Sequence, residues 1–118
     1  MNDFPNSRRV RKPADFDRAY AAKVYAADDV LVINAAPNGL EISRLGLSVS
    51  RKVGNAVVRN HWKRRIREAF RLNRATLPVG IDLVVHPKLG AECDFHAIAA
   101  SLPSLVRRIA RRLRLPEK

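Results

Sequence analysis

Apolar positions along the chain recur with helical and with strand periods. Phe16, Ala19 and Tyr20 stand at i, i+3 and i+4 after Pro13, and Asp15 and Asp17 suit the positive end of a helix dipole, so a short first helix is expected from residue 13. Asp28-Asp29 marks a turn before the β-branched run Val30-Leu31-Val32-Ile33. Pro37-Asn38-Gly39 is a hairpin-type turn signal, and residues 40–50 beyond it are rich in strand formers, interrupted at Ser43-Arg44. Within that stretch Leu45, Leu47 and Val49 point to one face, and Gly46, Ser48 and Ser50 to the other. The apolar face builds a core. The small face suits solvent, and it also leaves room for another chain, such as a nucleic acid backbone or base.

Gly54 turns the chain, and Asn55 is placed to cap a long helix from about Ala56 to Asn73 or Arg74. Pro78 and Gly80 end the connection to a strand, Ile81-Asp82-Leu83-Val84-Val85, which stops at Pro87. Asp94 caps a last helix with Phe95, Ile98, Leu102, Leu105, Val106 and Ile109 on its apolar side. Pro103 should kink or split that helix, and the basic tail over residues 107–118 should fray. The coarse order α-β-β-β-α-β-α makes the protein α+β, with about four strands in one sheet covered on one side by helices. One domain is expected over residues 13–115, behind a flexible basic arm over residues 1–12 where Arg8, Arg9, Arg11 and Lys12 cluster.

The long helix changes the picture from fold to function. On a helical wheel, Val58, Trp62, Ile66, Ala69 and Phe70 form a core stripe. Arg59, Asn60, Lys63, Arg64, Arg67, Arg71 and Arg74 fall on a nearly unbroken cationic face. Arg59, Lys63, Arg67 and Arg71 repeat at i+4 with like charge, and each such pair costs a few tenths of a kcal/mol. A solvated face normally alternates sign, so an external anion explains this one better. Arginine predominates, and its planar fork grips phosphate or stacks on a base. Asn60 adds a neutral donor and acceptor able to read an edge or a 2′-OH, and the start of the helix offers backbone N–H groups to a phosphate.

Composition agrees. Lys and Arg number 23 against 11 Asp and Glu, a formal charge of +12, which points to a polyanionic partner. The hydrophobic fraction of 47% weighs against a wholly disordered basic tail. No apolar run has a membrane-spanning length, and residues 1–11 lack the hydrophobic core of a secretory signal, so no membrane partner is expected. The single Cys93 forms no internal disulfide and holds no zinc alone, which makes the reducing cytoplasm the expected compartment. The acids are scattered rather than clustered for metal ions, and His61, His86 and His96 sit in separate elements. No catalytic residue and no metal site is therefore assigned to the chain.

The stretch LGLSVSRKVGNAVVRNHWKRRIREAFR, residues 45–71, resembles the protein component of bacterial ribonuclease P. The resemblance lies in a strand ending in Ser and basic residues, then Gly54-Asn55, Arg59-Asn60, Lys63-Arg64 and Arg67-Glu68. Asp15-Phe16 with Tyr20 resembles that family's first helix, and Asp82-Leu83-Val84-Val85 its late strand. The resemblance implies a ribosomal-protein-like fold with a left-handed β-α-β crossover, against the usual right-handed rule. It implies a heterodimer with a catalytic RNA that removes the 5′ leader of precursor tRNA. The chemistry then belongs to the RNA, and the magnesium is used by the RNA-containing holoenzyme, with no cofactor bound by the protein alone.

By the same resemblance, Arg51, Lys52, Arg59, Asn60, His61, Lys63, Arg64, Arg67 and Arg71 contact the catalytic RNA. Phe16, Tyr20, Ser48 and Ser50 line a cleft for the single-stranded leader, where aromatic stacking contributes about 1–3 kcal/mol per base. From the residues alone, Phe16 and Tyr20 fit core packing equally well. His61 stands where the family often has a second Arg, Trp62 replaces a smaller aliphatic core residue, and Val85-His86-Pro87-Lys88 lacks the usual alanine-plus-basic strand end. A structural RNA-binding protein would share the basic face but needs no leader cleft. A major-groove DNA binder would concentrate its base-reading residues near one end of the helix, which this one does not.

Overall fold

The computed structural model describes residues 8–114. The elements are α1 (Pro13–Ala21), β1 (Val24–Ala27), β2 (Leu31–Pro37), β3 (Arg44–Leu47), α2 (Ala56–Asn73), β4 (Ile81–Pro87) and α3 (Phe95–Arg112), with a 3-10 turn at Arg51–Val53 ahead of α2. The strands make one sheet in the order β1-β2-β4-β3, antiparallel except for the parallel pair β3–β4 that α2 connects. The α+β element order is the expected one. Both helix caps form: the Asn55 side chain accepts from the Val58 N–H at 3.0 Å and that of Asp94 from Ala97 at 3.2 Å.

The core lies on one face of the sheet. Leu31, Ile33, Ala35, Leu45, Ile81, Leu83 and Val85 meet Trp62, Ile66, Ala69 and Phe70 of α2 and Ile98, Leu102, Leu105, Val106 and Ile109 of α3. The second face is covered too, which corrects the one-sided arrangement expected from the sequence. Residues 81–85 of β4 are buried without alternation, as in a strand packed on both sides. Helix α1 supplies the second cover. Its Phe16 ring lies over Gly46, its Tyr20 ring meets His86 with centroids 5.9 Å apart, and its Arg18 reaches Asp82. Asp82 projects from β4 on that side, and its carboxylate is fully buried and paired.

That pairing joins four segments. Arg44 of β3 forks onto Asp82 through Nε at 2.7 Å and Nη2 at 2.5 Å. Arg18 Nη2 donates to the same carboxylate at 2.5 Å, and Asn38 Nδ2 at 2.9 Å. Asp15 faces both Arg18 and Arg44, and Arg18 also donates to the Pro37 carbonyl. Burial pushes the Asp82 carboxyl up, but the bonds from Arg44 and Asn38 and the two guanidinium charges outweigh it and hold the group below its ordinary range.

Other departures have local causes. Strand β1 carries no alternation that marks it in the sequence; it pairs with β2 across a turn in which Asp28 accepts from the Val30 and Leu31 N–H groups. Beyond Pro37-Asn38-Gly39 no two-stranded hairpin forms, because β2 pairs with β4 and β3 lies on the far side of β4. In the connecting segment, buried Ser43 donates to the Pro78 carbonyl and accepts from the Ile81 N–H, fixing the start of β4. Helix α3 passes through Pro103 unbroken; Leu102, Pro103, Leu105 and Val106 are all buried, so packing holds the helix on both sides of the proline.

The tail expected to fray is helical to Arg112, where Arg108 and Arg112 donate to the carbonyls of Ala27 and Tyr25; residues 115–118 lie outside the described part. Of the expected arm, residues 1–7 also lie outside it, while Arg9 bridges to Leu45 and buried Val10 donates its N–H to the Leu45 carbonyl at 3.0 Å.

Three substitutions test this second face. Asp82→Ala leaves two guanidinium groups facing an uncharged buried site, so it should lower the unfolding free energy by about 3–5 kcal/mol in urea titrations. Because the carboxyl is held below its ordinary 3.8, its contribution is complete above that pH and disappears as the pH falls through the lower folded-state value; Asp82→Asn should abolish that part of the acid dependence. Gly46→Ala should cost about 1–3 kcal/mol, because a Cβ there would lie 2.9 Å from Val10 Cβ and 3.1 Å from the Phe16 ring.

Candidate nucleic-acid interface

Helix α2 buries Trp62, Ile66, Ala69 and Phe70 and turns its other side outward. Trp62 is core, as expected. Val58 is not: it is 38% exposed and folds back on Gly54, where a Cβ would lie 2.8 Å from Val58 Cγ1. The expected cationic residues do share the outward side. Asn60, His61 and Arg64 are exposed, and Arg59, Lys63, Arg67 and Arg71 are half-buried. Arg51 and Lys52 are exposed on the 3-10 turn ahead of the helix, which Ser50 caps by accepting from the Lys52 N–H.

The charges on this face are unevenly neutralised. Arg71 forks onto Glu68 at 2.9 and 2.6 Å, so the last member of the i+4 row already has a carboxylate. Arg67 does not have such a partner among the described residues. Burial first, then the positive charges of Arg9 and Arg64, press its guanidinium below its ordinary affinity for protons. The Nε of Arg59 is buried and bonds nothing among the described residues. Arg67 nonetheless stays a guanidinium cation, and an arriving anion would offset the repulsion it meets from Arg9 and Arg64. The N-terminal segment adds to the face: Arg9 and Arg11 join Phe16, Lys63 and Arg67 around one small pocket at the β3 edge. Their clustering is visible in the sequence, but the strand-edge docking that brings them to α2 is not.

A second concavity lies on the α1 side of the sheet, with a volume of about 470 Å³. Ser48 and Ser50 line it, together with Val32, Asn34, Val53, His86 and Lys88. Tyr20 is 41% exposed and adjoins it through its contact with His86. Phe16 stands apart, half-buried over Gly46 and lining the β3-edge pocket instead. The small residues of β3 therefore serve two purposes. At Gly46 the space is filled by Val10 and Phe16 of the same chain, whereas at Ser48 and Ser50 it stays open.

Asn34 and His86 are the residues that sequence reasoning missed. They pair across β2 and β4, with His86 Nε2 2.8 Å from Asn34 Oδ1, which makes the ring nitrogen the donor. Burial holds His86 below its ordinary 6.5, so the ring is neutral at pH 7. The only signal in the sequence was the irregular strand end at His86-Pro87-Lys88. Among the described residues, no cluster of three or more His, Cys, Asp or Glu side chains could hold a metal ion, and no helix is long and apolar enough to cross a membrane.

A profile of the Ribonuclease P family matches residues 4–110. The chain belongs to the ribonuclease P protein family. Among its relatives, the ribonuclease P protein component of Desulfovibrio desulfuricans is 42% identical over 116 residues, covering 93% of this chain and 88% of that one. That of Caldanaerobacter subterraneus subsp. tengcongensis is 38% identical over 102 residues, covering 85% and 87%. The solved RNase P protein of Staphylococcus aureus superposes with a TM-score of 0.75 at 36% identity, covering 88% of this chain and 95% of that one. The RNase P protein from Thermotoga maritima gives 0.76 at 34% identity, covering 85% and 96%. As a ribonuclease P protein component, the chain is part of an endoribonuclease of tRNA processing.

If the α2 face binds RNA phosphates, Arg59→Ala, Lys63→Ala and Arg67→Ala should each weaken binding to a structured RNA. Each lost contact should reduce the log–log salt slope by about 0.7–0.9 in titrations from low to moderate salt. Arg71→Ala should change the slope less, because Glu68 already shares that charge. An unchanged slope in all of the first three would exclude this face.

Proposed function

We propose that the chain is the subunit of cytoplasmic ribonuclease P that joins a catalytic RNA to its precursor-tRNA substrate. The α2 face, with Arg51 and Lys52 before it, binds the catalytic RNA. The cleft beside α1 holds the single-stranded 5′ leader. The RNA subunit carries the hydrolysis and uses magnesium; the protein positions the leader and lowers phosphate repulsion where substrate and catalytic RNA meet.

The observation that carries this reading is the division of the molecule around β3. One side presents Arg59, whose buried Nε bonds nothing among the described residues, and Arg67, which is crowded by the like charges of Arg9 and Arg64. The other presents an open, mostly apolar hollow edged by an exposed aromatic ring and by Ser48, Ser50 and Asn34. A structural RNA-binding protein needs only the first. In the hollow, a base can stack on Tyr20 beside His86, the serine hydroxyls and the Asn34 amide offer hydrogen bonds, and Lys88 offers charge to a phosphate.

Reconstitution tests the assignment. The protein mixed with a bacterial ribonuclease P RNA at low magnesium should restore cleavage of precursor tRNA at the mature 5′ end under conditions where neither component cuts alone. Binding without enhanced cleavage would leave a structural RNA-binding protein. In the reconstituted enzyme, Tyr20→Ala should weaken precursor tRNA by about 1–3 kcal/mol while leaving mature tRNA unchanged. Phe16→Ala should discriminate less between the two, because its ring packs on Gly46 outside the hollow.

A further inference from the structure

The second face of the sheet does not end at the cleft. Asn34, on the cleft floor, stands directly opposite Tyr25 of β1, so the two side chains project from the same face. Tyr25 is 54% exposed on an edge strand. Around that edge comes Arg112 from α3, its guanidinium 6.0 Å from the Tyr25 ring centroid and one N–H donated to the Tyr25 carbonyl at 2.6 Å. Arg108 binds the Ala27 carbonyl next along the strand, beside the charge of Asp28, which partly offsets it. Capping an exposed strand edge accounts for these carbonyl bonds. It does not account for a half-exposed aromatic ring beside an arginine that has four of its five N–H groups left to donate among the described residues.

We propose that Tyr25 and Arg112 continue the leader path across the β1 edge and bind upstream single-stranded nucleotides, a base on the Tyr25 ring and the adjoining phosphate on Arg112. The proposal rests on the leader-cleft reading. Continuity with the cleft through Asn34 and charge complementarity with phosphate select RNA as the occupant. From β3 to β1 the sheet is three strand spacings wide, about 14 Å, so the site lies beyond the first nucleotides that the cleft can hold. Stacking on an exposed ring beside a cation is tolerant of base identity, so this site senses leader length rather than sequence.

The test uses the reconstituted enzyme and precursor tRNAs whose leaders lengthen one nucleotide at a time. With wild-type protein, affinity should rise in two stages, and Tyr25→Ala should remove the second, weakening long leaders about five-fold or more with no effect on short ones. Tyr25→Phe should restore the second stage, and Tyr25→Leu should not. Arg112→Lys keeps the charge and should retain part of the gain at low salt only. Tyr20→Ala should weaken leaders of all lengths that reach the cleft. If Tyr25→Ala matches wild type at every length while Tyr20→Ala is impaired, the edge site is overturned and the cleft reading stands. If both match wild type, both fail. If Tyr25→Ala weakens binding of the catalytic RNA itself, this edge belongs to that RNA and the leader proposal is wrong.

Discussion

Asp82 is a carboxylate buried in the middle of a sheet, and the way its charge is satisfied determines what the second face can be. An unpaired carboxylate there would be prohibitively costly, so the two arginines and Asn38 are needed as much as the carboxylate itself. Arg44 is the next strand's contribution and Arg18 is the first helix's. Helix α1 has only Ala19 fully buried, too little apolar surface to fix its position by packing alone. The ion pair orients it, and with it Phe16 and Tyr20, four residues apart on the same helical face. Replacing the network with apolar side chains could leave the domain as stable, but it would not specify where α1 lies, and the cleft wall is α1.

The α2 face shows the opposite use of charge. Where Asp82 gathers cations until it is satisfied, α2 gathers cations and leaves most of them without a paired acid among the described residues. The single Glu68 neutralises one end of the row, at Arg71, and the docked N-terminal segment makes the remainder more positive by adding Arg9. Local consistency is therefore broken on this face and kept nearly everywhere else in the fold, which is the pattern expected of a surface kept for a partner.

How much of this was legible depended on whether the signal was local. The caps at Asn55 and Asp94, the bounds of α2 and its core stripe from Trp62 to Phe70 depend on neighbours within one or two helical turns, and these appear as read, with Val58 the exception. So does the set of cations on α2. What escaped involves partners far apart in the chain. Nothing near Asp82 in the chain announces that Arg18 and Arg44 are brought to it. Strand β1 is four residues with no repeating pattern, and it forms because β2 offers it an edge. Pro103 obeys its local rule in an isolated helix, but the packing on both sides of it dominates here. The site divides the same way. Ser48, Ser50 and Tyr20 come together at the cleft, whereas Phe16 is drawn off toward Gly46 and the docked N-terminal segment, and Asn34 enters through a strand pairing that no local pattern announces.

Strand β3 ties the two surfaces together. It is a short edge strand, and such edges need cover. Here the cover is the chain's own N-terminal segment, through the Arg9–Leu45 bridge and the Val10 hydrogen bond, and Gly46 is the residue small enough to let it in. That one device protects the edge, seats Phe16 and delivers Arg9 and Arg11 beside Lys63 and Arg67. Two residues further on, the cover has ended, and the open space at Ser48 and Ser50 becomes the cleft. The small residues along this strand thus divide one face between self-contact at Gly46 and an open hollow at Ser48 and Ser50. Any loosening of the N-terminal segment from β3 takes Arg9 and Arg11 away from Lys63 and Arg67 and uncovers the strand edge at Leu45 and Gly46 together.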